Sequence, residues 1–104
     1  MSANQSERLR RHKEFEANQR RRQAIHIETM IAELDRICID LGQQIEAEET
    51  RARIHDPAHF AYPMYAKAAR ERRANIQHST DALRAELDKL RVEEVDTANQ
   101  QHAA

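Results

Sequence analysis

The chain has 104 residues, of which 34% are charged and 4% aromatic, and its formal net charge is −1. With only one glycine, this composition is typical of long helices and coiled coils in one domain, and it excludes an aromatic-rich globular core. The near-neutral charge argues against a dedicated nucleic-acid binder. No apolar run reaches the roughly 18 residues of a membrane span, and a lone cysteine forms no internal disulfide, so we expect a cytoplasmic location.

The chain opens with a basic arm. Residues 1–23 carry seven basic and three acidic side chains, a net charge of +4. The density of positive charge suits contacts either with an acidic protein surface or with nucleic-acid phosphates. We favour the acidic protein. The arm residues that we select as partner-binding candidates are Arg20, Arg21 and Arg22.

The first predicted helix extends from about residue 5 to residue 53. Its apolar residues follow a heptad pattern, with alternating steps of four and three that keep one seam toward a partner helix. On that seam, Cys38 is interpreted as a small buried apolar residue and not as a redox group. The seam residues are Ile27, Ile31, Leu34, Cys38, Leu41, Ile45, Glu48 and Ala52.

The predicted connection, residues 54–62, lies in the only stretch with helix breakers. Residues 54–66 read IHDPAHFAYPMYA and hold both prolines and three of the four aromatic residues. Asp56-Pro57 predicts a short turn, and Pro63 either begins the second helix or kinks it. The aromatic residues either close the hairpin as a small core or form a hot spot for a partner. The partner-binding candidates here are Phe60, Tyr62, Met64 and Tyr65.

The same stretch contains His55, Asp56 and His59, a pattern in which two histidines four residues apart could share a metal ion. Pro57 lies between them, and the sequence places no further ligands nearby, so we interpret them as solvated turn residues. We also find no glycine-rich phosphate loop and no nucleophile elbow, and a two-helix hairpin offers no deep pocket. We therefore expect no catalytic residue, no metal, no cofactor and no small-molecule substrate.

The second predicted helix extends from about residue 63 to residue 98 and repeats the heptad spacing. Antiparallel pairing of the two seams allows registers that differ by one heptad. We prefer the one that sets Glu48 against Arg73, because a buried charge requires a partner. The alternative sets Leu41 against Arg73. The preferred register pairs Ile31 with Leu90, Leu34 with Leu87, Cys38 with Leu83, Leu41 with Thr80, Ile45 with Ile76, Glu48 with Arg73, and Ala52 with Ala69.

This register leaves the basic arm without a partner helix. The end of the second helix, near Thr97, would lie opposite Ala24, so residues 1–23 would project as a single helix. A polar helix without a partner is marginally stable in water. The arm is therefore expected to fray alone or to be held by another protein.

Three segments of the sequence resemble a known family. They read EANQRRRQAIHIETMIAELDRICIDL, IxAEE and DPAHFAYPMYAKAARERRANIQHS, and together they span roughly Leu9 to Leu90. They are similar to the short alphaproteobacterial members of the flagellar export protein FliJ family. The resemblance is sharpest over DPAHFAYPMYAKAA, whereas the remainder is shared with coiled coils in general.

The resemblance implies an antiparallel two-helix coiled coil that serves the flagellar type III export apparatus as a stalk, chaperone or escort. It implies two partners: the hexameric export ATPase, whose pore receives the terminal end, and the export-gate membrane protein. It also implies a location at the flagellar base, peripheral to the inner membrane. This chain is shorter at its C-terminus than better-known members, and it inherits no individual binding residue from the family.

We therefore expect an all-α, antiparallel two-helix coiled-coil hairpin over residues 1–104 that binds other proteins and is not an enzyme. Two alternatives remain open. One is a nucleic-acid-associated regulator that uses the basic arm, and the other is a generic coiled-coil scaffold that forms homo-oligomers.

Overall fold

The structure, a computed structural model, describes the backbone of residues 2–103 and the side chains of residues 2–99. Helix α1 covers Ala3–Ala52 and helix α2 covers Met64–Ala103. They form an antiparallel two-helix coiled-coil hairpin, which confirms the predicted fold class. Over the described residues, neither helix contains a segment apolar enough to cross a membrane.

Helix α1 begins two residues before the predicted position because Ser2 caps it. The Ser2 Oγ accepts a hydrogen bond from the backbone N–H of Gln5 at 3.3 Å, and the Gln5 Oε1 accepts one from the Ser2 N–H at 3.2 Å. This reciprocal pair is a capping box, which satisfies backbone donors that the first helical turn leaves free. The spacing Ser-x-x-Gln is visible in the sequence and could have located this start.

Helix α2 begins directly after Pro63, whose carbonyl oxygen accepts the backbone N–H of Lys67 at 3.0 Å. Of the two roles predicted for Pro63, the structure shows the first: the proline begins the helix and does not kink it. The helix then continues to Ala103, five residues beyond the predicted end at residue 98.

The chain forms two compact units. The tip unit is Met30–Leu83, and the end unit is Met1–Thr29 with Arg84–Ala104. The tip unit has one apolar core, in which Ile37, Ile54 and Ile76 pack against buried residues from both helices and the loop. The buried members of this core are Leu41, Ile45, Tyr62, Ala66 and Ala69.

The register of the tip unit differs from the one that we preferred. Arg73 lies beside Leu41 and not beside Glu48: the Cys38 Sγ is 4.0 Å from the Arg73 carbonyl oxygen, and a β-carbon built on Gly42 would lie 3.5 Å from the Arg73 Nη1. The Glu48 carboxylate instead pairs with Arg51 at 3.0 Å. The helices therefore adopt the alternative register, which is slipped by one heptad.

The preferred register was wrong because it was chosen to pair two seam charges. Glu48 and Arg73 are both half-buried, so their long side chains reach the edge of the seam, where water solvates the charge. A buried ion pair adds little net stability after desolvation, so pairing these charges is a weak constraint. The adopted register instead packs Ala66 and Ala69 in one core with Leu41 and Ile45.

In the end unit, Ile27 on α1 and Leu87 on α2 are buried, and Arg91 Nη2 donates to the Glu28 carboxylate at 3.1 Å.

The predicted arm without a partner is shorter than residues 1–23, because Ala17 and Arg20 are already half-buried. Residues 2–16 are all exposed. The stretch of α1 in which every described residue is exposed therefore ends at Glu16.

Gly42 offers a direct test of packing in the tip unit. It lies inside α1, where glycine costs about 0.5–1 kcal/mol relative to alanine. A β-carbon there meets only the end of the Arg73 side chain, at an ordinary contact distance of 3.5 Å. We expect Gly42→Ala to raise the free energy of unfolding by about 0.5–1 kcal/mol in urea titrations. The matched control, Ala47→Gly at an exposed position of α1, should lower it by a similar amount, and a decrease with Gly42→Ala would contradict the packing described.

Candidate docking site

The loop between the helices starts with an unusual helix end. Arg53 has a φ of 58°, in the left-handed region that non-glycine residues rarely adopt. The Arg53 N–H donates to the Thr50 carbonyl at 3.3 Å, and the Ile54 N–H donates to the Glu49 carbonyl at 3.2 Å. These two bonds form a Schellman motif, which terminates α1 and turns the chain toward the loop.

The middle of the loop is a short turn, as the Asp56-Pro57 pattern predicts. The Asp56 Oδ1 accepts the Ala58 N–H at 2.9 Å, and the Asp56 carbonyl accepts the His59 N–H at 3.0 Å. The His59 carbonyl and its Nδ1 then accept the N–H groups of Tyr62 and Ala61, each at 3.0 Å. Backbone donors are therefore satisfied along most of the loop, which holds its conformation.

Beneath the loop lies a polar network of three side chains: Glu49, Tyr62 and Arg70. The Tyr62 hydroxyl donates to the Glu49 Oε2 at 2.7 Å and accepts from the Arg70 Nε at 2.7 Å. The Arg70 Nη2 also donates to the Glu49 Oε2, at 3.0 Å. Only 8% of the surface of Glu49 and of Tyr62 is exposed. The three groups satisfy one another, as buried polar groups require.

The network shifts two pKa values. The hydrogen bond from the Tyr62 hydroxyl, followed by the one from Arg70, lowers the pKa of the Glu49 carboxyl below its usual 4.5. The same partners raise the pKa of Arg70. His55, whose Nδ1 lies 3.7 Å from the Glu49 Oε1, would add a further cation when protonated. Glu49 is therefore ionised through the neutral pH range, and its charge is used to hold the loop.

The lowered pKa gives a pH dependence with a definite sign. Because the folded-state pKa of Glu49 lies below 4.5, ionised Glu49 stabilises the fold above that pH, and the contribution is lost as the pH falls through the folded-state value. We expect Glu49→Gln to lower the thermal midpoint at neutral pH. The difference from wild type should shrink in melts recorded progressively further below pH 4.5. The control is Glu46→Gln on the exposed side of α1, and a Glu49 difference that stays constant with pH would refute this role.

The predicted tip candidates divide into two groups. Phe60 is 97% exposed, Met64 is 86% exposed and Tyr65 is 81% exposed. We call these three residues the tip patch. Tyr62 is in the core, so our selection of it as an exposed partner-binding residue is corrected: its ring and its hydroxyl are both occupied within the chain. The closing-core interpretation therefore holds for Tyr62, whereas Phe60 and Tyr65 are exposed.

Two of the tip-patch residues have described neighbours: Phe60 contacts an imidazole, and Tyr65 borders a groove. The Phe60 ring stacks on the His59 imidazole, with 4.7 Å between ring centroids. Tyr65 borders a shallow groove of about 360 Å³, whose other lining residues are Gln44, Ala47, Glu48 and Arg51. The groove lies on the surface between the two helices, and its lining joins the exposed Tyr65 of α2 to Arg51 and Glu48 of α1.

The arm candidates also differ in exposure. Arg21 and Arg22 are exposed, and the Arg21 Nη2 donates to the Asn18 Oδ1 at 3.0 Å. Arg20 is half-buried, and its Nε is buried with no hydrogen-bond partner among the described residues. Nearer the N-terminus, Arg11 pairs with Glu7 at 2.7 Å. The arm's positive charge is therefore partly neutralised along its own helix.

The HDxxH residues do not converge. Asp56 caps the loop turn, His59 stacks on Phe60, and His55 lies beside Glu49. Within the part of the chain that the structure describes, no three histidine, cysteine, aspartate or glutamate side chains are arranged to hold a metal ion.

Sequence reasoning missed Glu49, Arg70 and Arg53. The burial of Tyr62, which the sequence left undecided, could have been predicted, because a step of four back from Ala66 continues the seam of α2 to Tyr62. The left-handed conformation of Arg53 could not have been predicted, since glycine and not arginine is the usual residue at such a helix end.

Comparisons with protein-family models, with curated proteins and with solved structures found no match to this chain.

Proposed function

We propose that this chain is a coiled-coil adaptor of the flagellar type III export apparatus that binds partner proteins through the tip patch. The observation that carries the proposal is the arrangement of the tip. Phe60 in the loop and Met64 and Tyr65 in the first turn of α2 are exposed to water, although the core and the polar network beside them are complete. Exposed aromatic and methionine side chains are typical anchors of protein interfaces, and a fixed loop reduces the entropy lost on binding.

The partners follow from the family resemblance. The export-gate membrane protein and the export ATPase are the two proteins that the resemblance implies. We assign the tip patch to the export-gate protein and the basic arm, where Arg21 and Arg22 are exposed, to the export ATPase. On this proposal the chain acts as a stalk or escort at the cytoplasmic face of the inner membrane, at the flagellar base, and it has no catalytic role.

The test is reciprocal co-purification. Tagged full-length chain should retain the export ATPase and the purified cytoplasmic domain of the export-gate protein from the same bacterium. A strain that lacks the chain should lose swimming in soft agar and regain it on complementation. Strong, salt-dependent binding to DNA with neither protein retained would favour the nucleic-acid alternative. A stable homo-oligomer that retains neither protein would favour the scaffold.

A further inference from the structure

The charge around the tip patch is unbalanced. Between residues 50 and 70 the chain has four cations and a single carboxylate, that of Asp56, which caps the loop turn. Arg51 and Arg70 pair with glutamates of α1. Arg53 and Lys67 are exposed, and neither side chain has an ion pair or hydrogen bond to any other described residue. Two uncommitted positive charges therefore bracket the patch in sequence, one directly after α1 and one in the first turn of α2.

Arg53 occupies its position at a cost. A left-handed backbone costs a residue with a β-carbon about 1–2 kcal/mol, and glycine is the usual residue at this point of a Schellman motif. The motif uses only the backbone of Arg53, so nothing in the folding of the helix end requires a guanidinium. Residues kept in strained conformations occur most often where their side chains are used by a binding site.

We propose that the tip docks into an apolar groove with an acidic rim on a partner protein, in which Phe60, Met64 and Tyr65 fill the groove and Arg53 and Lys67 contact rim carboxylates. The inference rests on the proposed function and specifies the chemistry of the partner's site. A planar guanidinium binds a carboxylate with two parallel hydrogen bonds, which fixes orientation as well as adding affinity. A wholly apolar partner would gain nothing from the strained arginine.

The test is a variant whose stability and affinity change in opposite directions. Arg53→Gly removes both the backbone strain and the guanidinium. We expect its thermal midpoint to rise, while its affinity for the purified cytoplasmic domain of the export-gate protein falls about tenfold or more, as for loss of a charge-assisted hydrogen bond. Lys67→Gln should weaken binding further, and the remaining affinity should depend less on salt. Arg36→Gln, at an exposed position of α1 away from the tip, is the charge-matched control.

The outcomes separate this inference from the proposed function. If Arg53→Gly binds the gate domain as tightly as wild type, the acidic-rim inference fails and the proposed function stands. If wild type binds neither the gate domain nor the export ATPase, both fail. Tip-dependent binding to phosphatidylglycerol vesicles, or tip-dependent self-association in analytical ultracentrifugation, would also overturn the inference in favour of a lipid surface or a second copy of the chain.

Discussion

Replacing Tyr62 with alanine is expected to lower the free energy of unfolding by about 3–5 kcal/mol, the range for deleting a large buried aromatic side chain. The ring belongs to the core of the tip unit, and its hydroxyl joins Glu49 to Arg70. The variant would leave a cavity and also deprive the buried Glu49 and the half-buried Arg70 of one hydrogen bond each. For a hairpin of this size, such a loss is expected to melt the loop and the adjacent helix ends.

Tyr65 supplies a matched control three residues away. It is the same residue type but is 81% exposed, so Tyr65→Ala should change the free energy of unfolding by less than about 0.5 kcal/mol. Tyr62→Phe separates the two roles of Tyr62. It keeps the ring, removes the hydroxyl and should cost about 1–3 kcal/mol. Urea titrations followed by circular dichroism measure all three. Equal midpoints for the two alanine variants would show that the loop core is misplaced.

The two tyrosines also show where sequence reasoning succeeds and where it stops. The heptad spacing and the concentrated helix breakers sufficed to predict two long helices and the loop between them. Tyr62 ends the loop and Tyr65 lies in the first turn of α2, within one stretch of mixed polarity whose composition cannot separate a closing residue from an exposed one. The separation depends on partners distant in sequence: Tyr62 is buried because Glu49 and Arg70 bind its hydroxyl.

Register could not be fixed for a similar reason. A slip of one heptad returns most seam residues to a seam position, so burial of apolar surface barely distinguishes the two registers. The deciding features are the loop geometry and the fit of Ala66 and Ala69 beside Leu41 and Ile45. The left-handed Arg53 is part of that geometry, and no pattern in the sequence marks it.

The largest effect on binding is expected at the tip patch. Truncating a hot-spot aromatic costs about 2 kcal/mol or more, so Phe60→Ala and Tyr65→Ala should each weaken partner binding about 30-fold or more. Both side chains are largely exposed, so helicity and thermal midpoint should stay near the wild-type values. The measurements are circular dichroism melts, titration of the gate domain and the export ATPase, and swimming in soft agar.

The control for this experiment is Ile39→Ala, which removes a comparable exposed apolar side chain from the outer surface of α1 in the same unit. If Ile39→Ala weakens binding as much as the tip variants, the effect is one of general hydrophobicity and the tip is not a specific site. If the two tip variants are stable, bind normally and swim, the exposed aromatics have no partner role and the strongest local support for the export proposal is lost. If instead the partners are lost while the fold is retained, the exposed rings are the part of the hairpin that the partner contacts. Tyr62, three residues before Tyr65, is then the residue that holds the loop in place for that contact.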